Sequence, residues 1–367
     1  MSDRSDADLD RFETVLRSWL TSTQCTRAVA ECTSRFGYAS ADVQQQLQRV
    51  VERCSAAVMR DARRLECGIE HVPDDAPERV LVLASGRMPG LVLEGIAAAF
   101  AVGAQPLVRP SRDEAVFLHV LAHAAEVDPE LASRIHPVGI NDEPVPWEQA
   151  DAAIVFGSDA TINLVTQRLP DHAAARVAAY GSRQGVAVAA AGVERDIPDW
   201  ADRLADDVLA FRQQGCMSPS WLYVVGSDLE ATAVVDAFGA ALAHARSRHL
   251  APGVDGALQQ RRTADADVLA AIAAGFAPDP SVLHAGDARV TVVRVASVED
   301  ALLQIRQLGS LQQTAVLALA EPERSACVER LLAQTGITRT CAPGQAHHPD
   351  PRWPQDGIGR VAPLLAQ

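Results

Sequence analysis

The sequence predicts an α/β protein built on doubly wound parallel sheet and preceded by an all-helical segment. Three observations lead there. Short continuous apolar runs recur along the chain, as expected of strands buried on both faces. Nearly every run ends in a turn rich in Gly, Pro or Ser and is followed by a helical pattern, the alternation of a doubly wound sheet. Residues 1–75, by contrast, carry helical periodicity and no strand signal.

In that first segment Leu9, Phe12, Leu16, Trp19 and Leu20 recur at helical spacing, as do Val43, Leu47, Val50, Val51 and Val58. This predicts two or more helices joined around Gly37. The stretch His71–Pro77 is acidic and Pro-rich and reads as a linker. The first strand follows at Val80–Ala84, then a turn at Ser85–Gly90 and an apolar helix to about Val102. A second strand is predicted near Pro106–Arg109, a helix over Asp113–Glu126, and a third strand at Ala152–Phe156 that ends in Gly157–Ser158 before another helix. Arg176–Tyr180 and Val186–Ala190 read as further strands.

Trp200, Leu204, Val208 and Phe211 share one face of a helix spanning Asp199–Gln213, with Gly215 as its expected C-terminal cap. The α/β theme then repeats, with a strand at Trp221–Val225, a helix over Leu229–Ser247 and a strand at Val290–Val295. A helix at Val298–Leu308, a strand at Ala315–Leu319, a helix at Glu323–Thr335 and a strand near Thr338–Cys341 follow. The tail Pro343–Gln367 reads as an irregular arm. The expected organisation is a helical extension (1–75), a first α/β domain (76–195), a second α/β domain (196–342) and the arm (343–367).

Composition narrows the function classes. The chain has 367 residues, enough to bury about three quarters of its surface. It carries 33 basic and 47 acidic residues, a formal net charge of −14, and so is not expected to bind nucleic acid or an anionic membrane through its overall field. The longest apolar candidate, around Gly95–Val108, is interrupted by Gly103, Gln105 and Pro106, and no membrane span is expected. The N-terminal MSDRSDADLD is too acidic and polar for a signal peptide. Seven cysteines without a CxxC pair point to reduced thiols in a cytoplasmic setting. His347 and His348 are adjacent in a loop, where neighbouring side chains point apart, and no third ligand is spaced nearby, so no metal site is expected.

Three places are candidates for chemistry. Cys216, in FRQQGCMSPSW, sits on a turn between a helix and a strand, where a thiol can face a cleft. The turn Ser85–Gly90 follows the first strand where a Rossmann sheet places its phosphate loop, although it is not GxGxxG. Arg109 and Arg112 follow the second strand, where a dinucleotide ribose is read, and two guanidiniums there suit a 2′-phosphate. No GxSxG elbow anchors serine hydrolase chemistry.

Taken in order, these segments resemble the aldehyde dehydrogenase superfamily, most closely its LuxC-type acyl-CoA reductases. The run VLASGRMPG…QPLVRPS resembles the turn, helix and Lys-Pro-Ser strand end of that superfamily's cofactor domain. VFGSDATI resembles its Gly-Ser phosphate segment, YGSRQG its Gly-Gly-Lys-Ser-Pro segment, FRQQGCMSPSW its catalytic cysteine segment, and Trp353–Gly357 a C-terminal Trp-x-x-Asp-Gly. The resemblance implies a Rossmann-type cofactor domain plus an α/β catalytic domain. It implies reduction of an acyl thioester, on coenzyme A or a carrier, to an aldehyde through a Cys216 acyl-enzyme.

By the same resemblance Ser85, Arg109, Ser111, Arg112, Gly157, Ser158 and Gly181 contact the cofactor. Arg112 stands where NAD-preferring relatives carry a glutamate, which points to NADPH. Arg87 replaces the asparagine that holds the thioester oxyanion. Ala179 replaces the glutamate base of the oxidising enzymes, which suits a reductase. A homo-oligomer and an acyl-synthetase partner are further implications. Two alternatives stand beside this reading: a catalytically altered relative that binds an acyl-transferring enzyme, for which Arg87 argues, and a cysteine acyltransferase.

Overall fold

The structure, a computed structural model, describes residues 2–140, 143–190, 197–250, 281–285, 288–308, 312–319 and 322–365. The chain divides into two units, each with its own sheet. The first comprises residues 1–35, 43–182 and 350–367, and the second residues 36–42 and 183–349.

The first unit begins with four helices, α1 (Ser2–Trp19), α2 (Thr23–Phe36), α3 (Ser40–Arg53) and α4 (Ala56–Cys67). Helix α4 is held at both ends. Ser55 caps its N-terminus, and Gly68 takes the left-handed conformation (φ 69°) at its C-terminus. The sheet that follows is parallel throughout. Its strands are β1 (Arg79–Ala84), β2 (Gln105–Pro110), β3 (His136–Pro137), β4 (Ala152–Phe156) and β5 (Val177–Tyr180), in the order β3-β2-β1-β4-β5. Helices α5 (Leu91–Ala101), α6 (Phe117–Val127), α7 (Pro129–Arg134), α8 (Asp159–Arg168) and α9 (Asp171–Ala174) connect them.

Helix α5 is apolar on nearly every side and correspondingly buried. Gly95 lets it approach β1, since a Cβ there would lie 2.5 Å from Val82. On its other side it meets α1: Phe12 and Phe100 pack edge to face at 5.5 Å, and Ser5 Oγ donates to Phe100 O at 2.7 Å. Burying Leu93, Ile96 and Phe100 stabilises the unit by roughly 2 kcal/mol each. The N-terminal helices are thus a layer of the first unit rather than an appendage.

The second unit holds a six-stranded sheet of β6 (Gln184–Ala190), β7 (Pro219–Val225), β8 (Ser281–Ala285), β9 (Ala288–Val295), β10 (Gln312–Ala318) and β11 (Arg339–Cys341). The order is β11-β10-β6-β7-β9-β8, parallel except for the β8–β9 hairpin. Helices α10 (Ile197–Leu209) and α11 (Asp228–His249) cover one face, burying Trp200, Leu204, Val208, Val234, Phe238 and Leu242. Helices α12 (Val298–Gln307) and α13 (Pro322–Ala333) belong to the other side, where Val298, Leu302, Ile305, Val328 and Leu332 pack on Val188, Tyr223 and Val293. A capping box between Ser227 and Glu230 starts α11.

The structure departs from the sequence expectations in three ways. The segment 36–42, expected inside the N-terminal extension, belongs to the second unit: Tyr38 bridges Leu250, and Ala39 N–H donates to His249 O at 3.1 Å. Strand β6, expected in the first α/β domain, pairs with β7 and β10 of the second sheet; the expected boundary at 195 itself lies outside the described residues. The arm is also divided, and its end carries a short helix, α14 (Ala362–Leu365), in the first unit. Among the described residues no helix is long and apolar enough to cross a membrane.

Candidate active site

The first unit has a switch point. From β1 the chain proceeds outward through β2 to β3, then returns to place β4 and β5 on the other side of β1. In an open parallel sheet a ligand crevice forms at the carboxyl ends of the strands at such a point. Here the turn after β1 begins at Ser85 and the turn after β4 at Gly157–Ser158, and each turn leads into a helix of ten residues or more. A helix N-terminus presents unpaired N–H groups and a partial positive charge, which favours a phosphate.

Seven of the eight first-unit residues singled out by the sequence come together on this edge. Ser85 N–H donates to Phe156 O at 3.1 Å, and Gly157 N–H to Tyr180 O at 3.1 Å, so the ends of β1, β4 and β5 are tied in one row, with Gly181 next after Tyr180. Ser158 caps α8 through Thr161 N–H at 3.2 Å. Ser111 Oγ accepts from Gly86 N–H at 2.9 Å, which fastens the turn after β1 to the turn after β2. Gly86 is obligatory there, because a Cβ would lie 2.2 Å from the Asp113 carbonyl carbon. Arg109 is half-buried against Gly139, and Arg112 is exposed. The edge therefore sets helix-end N–H groups and the two arginines after β2 on one side of the sheet. The eighth residue, Arg87, turns toward the loop after β2, its Nε 3.8 Å from Asp113 Oδ2.

Cys216 lies in the second unit, half-buried, in a turn closed by Ser218 N–H to Gly215 O at 3.2 Å. The approach to this turn differs from expectation. Helix α10 stops at Leu209, and Gly215 is not a left-handed cap. Instead Phe211, Arg212 and Gln213 adopt left-handed backbone in succession, with φ of 52°, 52° and 58°. Each such non-glycine residue costs about 1–2 kcal/mol and persists only where the surroundings hold it.

The surroundings do so. The Phe211 ring is buried edge-on to Tyr38 at 5.5 Å and to His347 at 5.7 Å. Arg212 Nη1 donates to Phe36 O at 3.2 Å. The Gln213 amide donates to Pro219 O at 2.8 Å and Arg289 O at 3.0 Å, and accepts from Arg289 N–H at 2.9 Å.

On the other side of the thiol, Ser218 is fully buried, with Oγ 3.2 Å from His347 Nε2. That nitrogen also lies 3.0 Å from Asp207 O; a carbonyl only accepts, so Nε2 carries the proton. The Asp207 carboxyl accepts from Gly344 and Ala346 N–H at 2.7 and 2.9 Å. Burial raises its pKa to about 7 against those two hydrogen bonds. His347 is thus a structural clamp, while His348 is exposed, in keeping with their expected divergence.

Sequence reading missed Tyr38, Asp207, Gln213, Ser218 and His347 as supports of the thiol turn. The available signal was a polar residue, Asp207, beside the apolar face of Leu204, Val208 and Phe211.

Gly185 completes the support. A Cβ there would meet Met217 O at 2.5 Å and Pro219 N at 3.0 Å, and its own N–H donates to Ser218 O at 3.1 Å. Gly185→Ala is expected to displace the turn and destabilise the chain by about 3 kcal/mol, the scale of overpacking. Urea unfolding together with the rate of Cys216 alkylation reads this. An unchanged midpoint and alkylation rate would show that the segment yields freely.

Comparison with solved structures gives the class of fold. The chain is similar to a putative aldehyde dehydrogenase from Burkholderia cenocepacia (TM-score 0.68, 14% identity, 99% of this chain and 85% of that one). It is also similar to aldehyde dehydrogenase 21 from Physcomitrella patens in complex with succinate (0.67, 13%, 99% and 84%). A third is the NAD-dependent aldehyde dehydrogenase from Sinorhizobium meliloti (0.64, 15%, 94% and 75%). The fold is aldehyde dehydrogenase-like. The family model of acyl-CoA reductase (LuxC) matches residues 22–277, which include the Cys216 turn, and the chain belongs to that family. Comparison with curated proteins gave no match.

Proposed function

We propose that this protein reduces an acyl thioester to an aldehyde through an acyl-enzyme on Cys216, with NADPH as the reductant. The observation that carries the reading is a family match that includes a half-buried cysteine on a turn braced from both sides. The Cys216 thiolate attacks the acyl carbonyl carbon; the bond to the donor sulfur breaks, and coenzyme A or a carrier thiol leaves, taking up a proton. A nicotinamide bound at the first sheet's edge would supply the hydride that turns the enzyme thioester into a thiohemiacetal. That adduct collapses to aldehyde and regenerates the Cys216 thiolate. Ser85, Gly157, Ser158 and Gly181 would hold the cofactor's phosphates and adjoining ribose. Arg109, Ser111 and Arg112 would face the adenosine side, and Arg87 would offer donors to the oxyanion.

The test is a panel of acyl-CoAs with NADPH, following nicotinamide absorbance and trapping the aldehyde. In parallel, labelled acyl-CoA should attach covalently to the wild type and not to Cys216→Ala. Equal labelling of the variant would remove Cys216 as nucleophile.

For the cofactor, Arg112→Glu is expected to weaken NADPH by at least about 1 kcal/mol, the scale of a charge-assisted hydrogen bond, and to leave NADH less affected. Identical NADPH affinity in both proteins would place the 2′-phosphate elsewhere.

The second reading is a relative that binds an acyl-transferring enzyme without turnover. Arg87 favours it, because its guanidinium has an acidic neighbour in Asp113. Absence of aldehyde with every acyl donor, combined with intact acylation, would select it.

A further inference from the structure

A cavity in the first unit lies beside the carboxyl ends of β4 and β5, beneath the end of the C-terminal arm. Its walls include Arg53 from the end of α3, Glu94 and Ala98 from α5, Ile154 and Phe156 from β4, Tyr180 from β5, and Gln355 and Arg360 from the arm. It has room for roughly one water-sized particle.

The two guanidiniums at its wall are incompletely paired. Arg53 and Arg360 are 6% and 5% exposed, and the cavity wall holds a single carboxylate, Glu94. Arg53 spends Nε and Nη2 on Glu94 Oε2, at 3.0 and 2.9 Å. Its Nη1 is buried and has no hydrogen-bond partner among the described residues. Arg360 reaches only carbonyls, Arg53 O at 3.4 Å and Trp353 O at 3.3 Å, and has no carboxylate within 4 Å among the described residues.

Two further acids act on Tyr180 at the cavity wall, Glu66 and Asp356, but neither lies within 4 Å of the Arg360 guanidinium among the described residues. The Glu66 carboxylate accepts the backbone N–H groups of Arg360, Val361 and Ala362, at 3.0, 2.8 and 3.1 Å. Tyr180 donates its hydroxyl to Gly359 O at 3.2 Å. Burial first, and then the charge of Arg53, pull the Arg360 pKa below its ordinary value. Unpaired buried charge is among the costliest features a fold can carry, and pairing removes most of that cost.

We propose that this cavity is a binding site for a small monovalent anion of halide size, held between Arg53 and Arg360. Such an ion gives the Arg360 guanidinium a direct anionic partner and Nη1 of Arg53 an acceptor. It also ties the C-terminal arm to the α3–α4 layer and to β4–β5 of the same unit. An oxyanion the size of phosphate exceeds the space.

Line broadening of chloride in NMR, measured on the full-length chain at constant ionic strength, tests this directly. The wild type should broaden the chloride signal saturably, and bromide should reverse the broadening while inorganic phosphate should not. Arg360→Met should abolish the saturable component, with circular dichroism showing that the variant is folded. Glu94→Gln releases Arg53 from its carboxylate and should tighten chloride roughly tenfold or more, a gain that misfolding cannot mimic. Saturable broadening of equal size in wild type and both variants, or its absence in all three, would overturn the proposal, as would displacement by phosphate in preference to bromide.

Discussion

Without a nicotinamide cofactor, the acyl group on Cys216 is expected to stay on the enzyme for a long time and, with NADPH, to leave as aldehyde. A thioester has two fates, reduction by hydride or hydrolysis by water. Hydrolysis needs a base to take a proton from the attacking water, a contribution of about 10²–10⁴-fold. In the resemblance to oxidising aldehyde dehydrogenases that base falls at Ala179. The structure places Ala179 on β5, opposite Val155 of β4, and its methyl group offers no proton acceptor. Ala179→Glu is expected to raise the release of free acid, by up to the same 10²–10⁴-fold. Single-turnover decay of the labelled acyl-enzyme without cofactor is the measurement. Rapid acid release by the wild type would mean that another residue serves as base, and the acyltransferase alternative would gain.

The second large effect concerns alkaline stability. His249 ends α11 between two carboxylates, with Nδ1 2.7 Å from Asp42 and Nε2 2.9 Å from Asp206, all within the second unit. Burial works to lower its pKa, but the hydrogen bonds to Asp206 and Asp42 outweigh it and raise the pKa to about 9. The end of a helix also favours a cation. In the unfolded chain the same histidine titrates near 6.5. Between those values the folded state binds the extra proton, so stability falls as pH rises. The contribution is complete below about pH 6.5 and is lost through about pH 9. A shift of this size corresponds to about 3 kcal/mol.

Two further groups share that sign at lower pH. Burial raises the carboxyls of Glu114 and Asp207 to about 7, so their contribution declines from about pH 4 to 7. Urea unfolding from pH 6 to 9.5 should show the fall, and His249→Gln should flatten it above pH 6.5. An equal slope in the variant would assign the effect to other groups.

Much of this was legible in the sequence because parallel strands leave a plain mark. Val80–Ala84 and Ala152–Phe156 are continuous apolar runs, and the structure places both at the centre of the first sheet. The turns that carry the candidate cofactor residues were legible for the same reason, since each begins where an apolar run stops.

What failed to show was decided by particular contacts that apolar periodicity does not carry. Helix α6 begins at Phe117 rather than Asp113, because Glu114 Oε1 takes the N–H groups of Val116 and Phe117 at 2.7 and 3.0 Å. The left-handed run at Phe211–Gln213 contradicts local propensity and is held largely through Phe36, Tyr38, Arg289 and His347, far away in sequence. Strand β8 was missed because its partner in the sheet is a hairpin neighbour, while every pairing anticipated from the pattern was parallel.

The interleaving of the two units has a consequence for synthesis on the ribosome. The second unit is inserted into the first, whose last residues, 350–367, are translated only after residue 349. At about 5–20 residues per second, roughly ten to forty seconds pass between emergence of β5 and emergence of Arg360. Throughout that interval Glu66 lacks the three N–H groups it accepts in the finished fold, and the cavity beside Arg53 and Glu94 lacks the part of its wall made by Gln355 and Arg360. The nascent first unit therefore stays incomplete until residues 350–362 emerge, and a stop codon placed before them strikes the sheet made first.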